Sequence, residues 1–432
     1  MSNNQSRAEQ AVLPQRAASA LYYASNEKDR QTIRVLLVMT DNVAGDALKL
    51  AVEEGMKRYP YTKLAVVEKD GSYVHVHNDR PVVVRDTADY PVLGSKEVNY
   101  HMLAWGYQGK EIYLDVSHAV LDGVGALSFI RTMLHLYIEK KYGITLPKEG
   151  TNLPGDEILP AEYHEVYGDE KVLADDEIVP PYDAYGLPEV WKEEPARISF
   201  ILPQESFMQY VKKYHGTPGI AVTALFGEAV RRIAKDRDKP IVTTIYVNER
   251  PMAGEEKAGG CMVTSVEVPI SDLQEKYSMN ECLAHYRARQ NELITPEYIK
   301  KKISQQVKGY QSNEKITGLE AKLKELGSAD KVFHVGTFAV STMGKDAMGS
   351  VGKYIEELHT ILIPTAYLIE MNCVNGKFTL DCMQSFTNTR YVDMFEKILQ
   401  EEKIPYKRCK PAPFKTAKVV YNLLNNPEAK VI

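Results

Sequence analysis

Cysteine is scarce and poorly placed for stapling. Cys261, Cys282, Cys373, Cys382 and Cys409 form no CxxC and no Cys/His zinc spacing, and five is an odd number. A disulfide scaffold is excluded, and reduced thiols fit best. The nearest pair, Cys373 and Cys382, flanks Asn375-Gly376, which reads as a two-residue hairpin turn. That turn sets Cys373 opposite Phe378 and Cys382 opposite Ile369, so the two thiols stand apart. Long apolar runs are also missing: none reaches the roughly 18 residues of a membrane span. The opening MSNNQSRAEQAVLPQRAASALYYA has no apolar core between a basic start and a small-residue cleavage site, so it does not read as a secretory signal. We expect a cytoplasmic protein whose residues 1–20 are disordered. Charge of one sign is lacking as well. Lys and Arg number 53 against 58 Asp and Glu, for a net charge of -5 and a pI near 6.1. No global attraction to nucleic acid or to an anionic membrane follows from that balance.

What remains is an ordinary globular composition, 44% hydrophobic and 26% charged over 432 residues. The length allows two or three domains, or one unusually large one. TIRVLLVMT from Thr32 reads as a buried strand. Val43 to Arg58 has helical spacing through Ala47, Leu48, Ala51, Val52 and Met56. Asp70-Gly71 marks a hairpin. Between Leu146 and Pro195, seven prolines and an acidic run including Asp175, Asp176 and Glu177 break regular structure. Tyr163, Tyr167, Tyr182, Tyr185 and Trp191 argue that this stretch packs on surfaces and is not a free tether. Beyond it come a strand at Arg197 to Leu202, a helix from about Glu205, a helix from Ile220 to Lys235, the strand IVTTIYVN, the strand VFHVGTFAVS, the hairpin AYLIEMNCV and KFTLDCMQSF, and a closing helix YVDMFEKILQEEK. Strands and helices mix without a strict βαβ rhythm, which predicts an α/β layered fold with mixed sheets.

The chemistry concentrates in EIYLDVSHAVLDGVGALSFIRTMLHLYIEKKYG. Ile112, Leu114 and Val116 alternate along a strand that delivers Ser117-His118-Ala119-Val120-Leu121-Asp122-Gly123 into a tight loop before a helix. Asp122 suits the N-cap, and Gly123 and Gly125 allow the backbone to turn. His118, with an ordinary pKa near 6.5, can take up a proton at neutral pH and return it.

SHAVLDGVG at the end of a strand resembles the HxxxDG motif of the chloramphenicol acetyltransferase-like acyltransferases, which include alcohol acetyltransferases and the condensation domains of peptide synthetases. Three further stretches are similar to that superfamily: the helix leading to Arg58-Tyr59-Pro60 and the strand pair after it, IVTTIYVNERP with Arg250 in its turn, and FAVSTMG, where Thr342 replaces the usual asparagine. Ser117 stands where condensation domains carry a second histidine, which favours the stand-alone acyltransferase branch. STMGK does not match the plant-type loop.

The resemblance implies two lobes, each a mixed β-sheet packed with helices, with an active-site tunnel between them. We expect an N-terminal lobe over 21–150, a Pro-rich crossover over 151–195 and a C-terminal lobe over 196–432. It further implies that His118 is a general base toward an acceptor hydroxyl or amine, and that Asp122 pairs with an arginine, here Arg250. Gly123 N–H, Ser117, Ser341 and Thr342 become oxyanion or substrate contacts. The donor is acyl-CoA, or the phosphopantetheine thioester of an acyl carrier protein. The alternatives on this fold are a free-standing condensation enzyme and a member that only binds a small molecule.

Other motifs have plainer readings. His75 and His77 share a strand face, read as solvated and not as a metal pair. Gly344 to Ser350 nearly spells a P-loop but has serine where lysine is required. Arg231, Arg232, Lys235, Arg237 and Lys239, and separately Lys300 to Lys302, could meet CoA phosphates or simply face water. Neither a metal nor a tightly bound cofactor is expected.

Overall fold

The computed structural model describes residues 16–25, 30–163, 166, 181–190, 194–236, 238–327, 335–342, 348–363, 366–413 and 415–421. Strands are numbered in chain order. A helix, Arg16–Ala24, precedes β1 (Thr32–Met39) and the helix Gly45–Gly55. Then come the hairpin β2 (Leu64–Lys69) and β3 (Ser72–His77), β4 (Val84–Asp86), β5 (Val92–Leu93), β6 (Leu103–Gln108), β7 (Glu111–Ser117) and the helix Gly123–Tyr142. The second half opens with β8 (Ala196–Pro203), the helices Gln204–Lys213 and Pro218–Ile233, and β9 (Val242–Asn248). β10 (Val263–Pro269), the helices Met279–Leu293 and Pro296–Glu314, β11 (Phe338–Thr342), β12 (Ile355–Ile361), β13 (Tyr367–Val374) and β14 (Lys377–Gln384) follow. The helix Arg390–Glu401 and the two-residue strands β15 (Lys407–Arg408), β16 (Ala412–Pro413) and β17 (Lys418–Val419) close the described chain.

Two sheets organise these elements. The first runs β12-β1-β7-β6-β4 and the second β10-β9-β11-β13-β14-β8-β15, with β16 also on β8. Both are mixed: β4 lies parallel to β6, and β11 lies parallel to β9 and to β13. β12 comes from the second half of the chain yet hydrogen-bonds to β1 at the edge of the first sheet. Strand alternation sorts the side chains by face. Ile33, Val35, Leu37, Ile112, Leu114 and Val116 join the core under the helix Gly123–Tyr142. Leu36, Tyr113 and Ile361 turn the other way and pack on Ala339, Leu368 and Met383 of the second sheet. The two sheets therefore bury faces against each other, and each covers its outer face with helices.

The hairpin register is as the sequence predicts: Cys373 opposes Phe378, Cys382 opposes Ile369, and no disulfide joins any two of the five cysteines. Asn375 and Gly376 take positive φ, as the turn requires. Two expectations need correction. Order begins before residue 21, since the helix Arg16–Ala24 buries Ala20 to Ala24. His75 is not on a solvated face: it is buried against the Tyr22 hydroxyl, and its pKa falls to about 4 through desolvation. The N-terminal helix supplies the cover, which an isolated strand pattern cannot show.

The crossover engages both sheet layers. Leu153 packs on the first core, and Tyr185 and Leu187 on the second. Glu162 is buried in a two-bond ion pair with Arg58, both contacts 2.8 Å. Tyr167, Asp175 to Glu177 and Trp191 lie outside the described residues, as do most of the P-loop-like Gly344 to Ser350 and Arg237 of the basic run. Arg231 and Arg232 are bonded to Glu228, and Arg232 also to Glu401, while Lys239 meets Asp183.

Candidate active site

β7 ends at Ser117, and the chain leaves the sheet with His118. The His118 N–H donates to Gln31 O at 2.9 Å, which pins the exit to the start of β1. Ser117 is buried, with its N–H on Met102 O and its own carbonyl accepting from Val120 N. Those bonds make Ser117 a backbone anchor. The imidazole of His118 is half-buried. Burial lowers its pKa, opposed by its own main-chain carbonyl and by the charge of Asp122. The net shift is downward, so the ring is neutral at pH 7.

Asp122 caps the helix Gly123–Tyr142 through Gly125 N–H at 2.9 Å. The same carboxylate is fully buried and accepts from Met262 N–H at 3.0 Å and from two Arg250 nitrogens at 2.8 and 2.9 Å. Arg250 begins the short helix Arg250–Ala253 just after β9, and it is buried too. A guanidinium has five N–H donors, and here each finds an acceptor. Besides Asp122, they reach Ala258 O at 2.7 Å, Asn248 Oδ1 at 3.1 Å and Gly260 O at 2.6 Å. Asp122, at the start of a helix packed on the first sheet, and Arg250, just after a strand of the second, are thus one buried unit. Its geometry resembles a rivet through both lobes.

That unit also fixes the segment Ala258–Met262, a feature the sequence did not single out. Arg250 holds the carbonyls of Ala258 and Gly260, Glu162 O accepts from Gly259 N–H at 2.9 Å, and Asp122 holds Met262 N–H. Cys261 sits between those anchors with its Sγ 3.9 Å from His118 Nδ1, and burial pushes its thiol pKa well up. Gly125 makes the approach feasible, since a Cβ there would lie 2.5 Å from Gly259 O. The Gly259-Gly260 pair before a strand is the one sequence signal that could have pointed to this close approach.

Gly123 is the first residue of its helix, where an N–H has no acceptor within the helix. Ser341 and Thr342 end β11 in the second sheet. Among the described residues neither hydrogen-bonds to His118. Lys302 is half-buried near Glu267 and Glu249, and desolvation lowers its pKa. Among the described residues no group of three or more His, Cys, Asp or Glu is placed to hold a metal, and no helix is long and apolar enough to cross a membrane.

The chain has the two-lobed fold of the chloramphenicol acetyltransferase-like acyltransferases and condensation domains. No protein-family model matches it, and no curated protein matches it. Solved structures do. TRI101 of F. graminearum, in complex with coenzyme A and T-2 mycotoxin, superposes with a TM-score of 0.60 at 10% identity, covering 92% of this chain and 99% of that one. Polyketide synthase associated protein 5 from Mycobacterium tuberculosis gives 0.59 at 12% identity over 90% and 97% of the two chains. The first condensation domain of the CDA synthetase gives 0.57 at 12% identity over 91% and 95%.

Proposed function

We propose that the protein is an acyltransferase that moves an acyl group from a CoA thioester to the hydroxyl or amine of a small-molecule acceptor, with His118 as general base. The observation that carries this reading is a neutral, half-buried histidine held at the mouth of a strand, where the buried Asp122–Arg250 pair locks both lobes around it. In this reading, His118 Nε2 takes the acceptor proton as the acceptor oxygen or nitrogen bonds to the thioester carbon. The tetrahedral oxyanion is met by Gly123 N–H and Ser341 Oγ–H. The intermediate then collapses with cleavage of the C–S bond, and the imidazolium returns its proton to the departing thiolate, releasing free CoA. A tunnel between the lobes would bring donor and acceptor to the ring, and the division at 151–195 would be a strap over that shared space.

Thiol release across a panel of acyl-CoAs, with intact-mass analysis of candidate acceptors, tests the proposal. His118-dependent release with a mass gain on the acceptor supports it. Donor consumption only from phosphopantetheinylated carrier protein would transfer the reading to the condensation enzymes. Ligand binding with no thiol release would leave a binding protein.

A further inference from the structure

The face that the second sheet turns toward the first lobe carries a polar line across four adjacent strands. Ser341 on β11 is in register with Glu370 on β13, Glu370 with Asp381 on β14, and Asp381 with Ser199 on β8. Ile369 and Met371 belong to the helix-covered core, so Glu370 between them points the other way. It is 5% exposed and Asp381 is fully buried.

The two acids are treated differently. Asp381 receives His359 Nδ1 at 3.0 Å, Arg197 Nη1 at 3.2 Å and Ser199 Oγ at 2.6 Å. His359 and Arg197 are therefore spent on Asp381, as Arg34 of the facing sheet is on Asp115. On the β11 side Ser341 is the register neighbour of Glu370, and its hydroxyl favours the ionised carboxylate. An ionised carboxylate buried with a single hydroxyl for company is costly, and a protonated one is not. Burial, with Asp381 adding to it, pushes Glu370 up to about 8 against the pull of Ser341. Among the described residues, the other charged groups on this side include His359 and Glu357 of β12, Arg197 of β8 and, on the facing sheet, Arg34 of β1 with Asp115 of β7; His359 and Arg197 bond to Asp381, Glu357 to His359, and Arg34 to Asp115.

A serine hydroxyl has one hydrogen to give and two lone pairs. We propose that Glu370 is a positioning residue: carrying its proton, it donates to Ser341 Oγ and leaves the serine O–H free to donate into the space between the lobes. Ionised Glu370 would instead capture that hydrogen and turn the donor away. This inference rests on the acyltransferase reading and gives Ser341 its direction as an oxyanion donor within it.

The test uses the full chain, acetyl-CoA with 1-butanol as probe acceptor, and the pH profile of thiol release between pH 6 and 10. Wild type should lose activity with a midpoint near pH 8, about tenfold by pH 9. Glu370→Leu should be impaired at every pH. Glu370→Gln, whose amide always donates, should recover at least about tenfold over Glu370→Leu and should lack the alkaline fall. Ser341→Ala should be impaired and should also lack it. In parallel, 13C-carboxyl glutamate labelling reads the Glu370 titration directly, assigned by its disappearance in Glu370→Gln. Titration of Glu370 in the usual range near 4 to 5, a Gln variant no better than Leu, or a Gln variant with the wild-type alkaline fall would each overturn the assignment. Wild type that releases no thiol from any acyl-CoA would sink the acyltransferase reading itself, which the carboxyl titration does not measure.

Discussion

At the scale of single residues, His118 and Asp122 differ in what they should cost when changed. The histidine makes few polar contacts, so His118→Ala should fold normally and lose at least about a hundredfold in thiol release, the lower end for removal of a general base. Its depressed pKa also sets a direction: the acid limb of activity should lie below pH 6.5, because burial disfavours the imidazolium. An acid limb above 6.5 that persists in His118→Ala would remove the histidine from the reaction. Asp122 is different because four hydrogen bonds end on it and a buried guanidinium depends on it. Asp122→Asn leaves Arg250 without its counter-charge, a loss of about 3 to 5 kcal/mol by the behaviour of broken buried pairs. Chemical denaturation should show that loss beside the drop in activity, and an Asn variant as stable as wild type would contradict the rivet described above. His118 and Asp122 were singled out by the resemblance of SHAVLDGVG to a known motif and Arg250 by a separate stretch, IVTTIYVNERP, and the expected pairing of Asp122 with Arg250 is the part that the structure displays. Cys261 and Glu162 were not singled out, since one is a cysteine in a glycine-rich loop and the other is one acid among many in an acidic stretch.

At the scale of elements, the helix Gly123–Tyr142 meets the Ala258–Met262 segment closely at Gly125. Replacing Gly125 by alanine would add up to about 1 kcal/mol of helix propensity. Against that stands a Cβ 2.5 Å from Gly259 O, a main-chain atom held by its neighbours. Overpacking of this kind costs about 1 to 3 kcal/mol, so the clash should win. Gly125→Ala should lower the unfolding midpoint and reduce thiol release by shifting Cys261 off the His118 ring, and a variant that is both as stable and as active as wild type would refute the close approach. The elements themselves were readable where periodicity was strong: the helix Pro218–Ile233, the β13–β14 hairpin and its register all follow from spacing and from Asn375-Gly376. What spacing does not reveal is partnership. Arg34, Asp115, Glu370 and Asp381 each interrupt an apolar strand, and a lone strand gives no reason for them. In the folded chain Arg34 pairs with Asp115, while Glu370 and Asp381 share one face, so an ionic residue inside a buried strand was the sign that a second layer would cover that face.

For the whole molecule, the strand exchange and the buried charges act together. β12 hydrogen-bonds into the first sheet, yet its His359 reaches across to Asp381 of the second, at 3.0 and 3.1 Å to the two carboxylate oxygens. Burial works against a charged imidazole there, but the Asp381 carboxylate outweighs it and His359 is pushed up to about 9. For Asp381, burial is again opposed and outweighed, and its pKa falls below the usual carboxylate range. The sign follows from linkage. A histidine that binds its proton more tightly when folded adds stability in full below its unfolded value near 6.5, and that contribution fades as pH rises through about 9. The size is on the order of a few kcal/mol, enough to register against a net stability of about 5 to 15 kcal/mol. His359→Gln keeps Arg197 and Ser199 on Asp381, so the variant should fold and isolate the proton-linked part. Denaturant midpoints measured from pH 6 to pH 10 should show wild type more stable than the variant at pH 6, with the gap closing by pH 10. A gap that stays constant over that range would mean that His359 holds the two lobes by shape alone and that its charge contributes nothing to their closure.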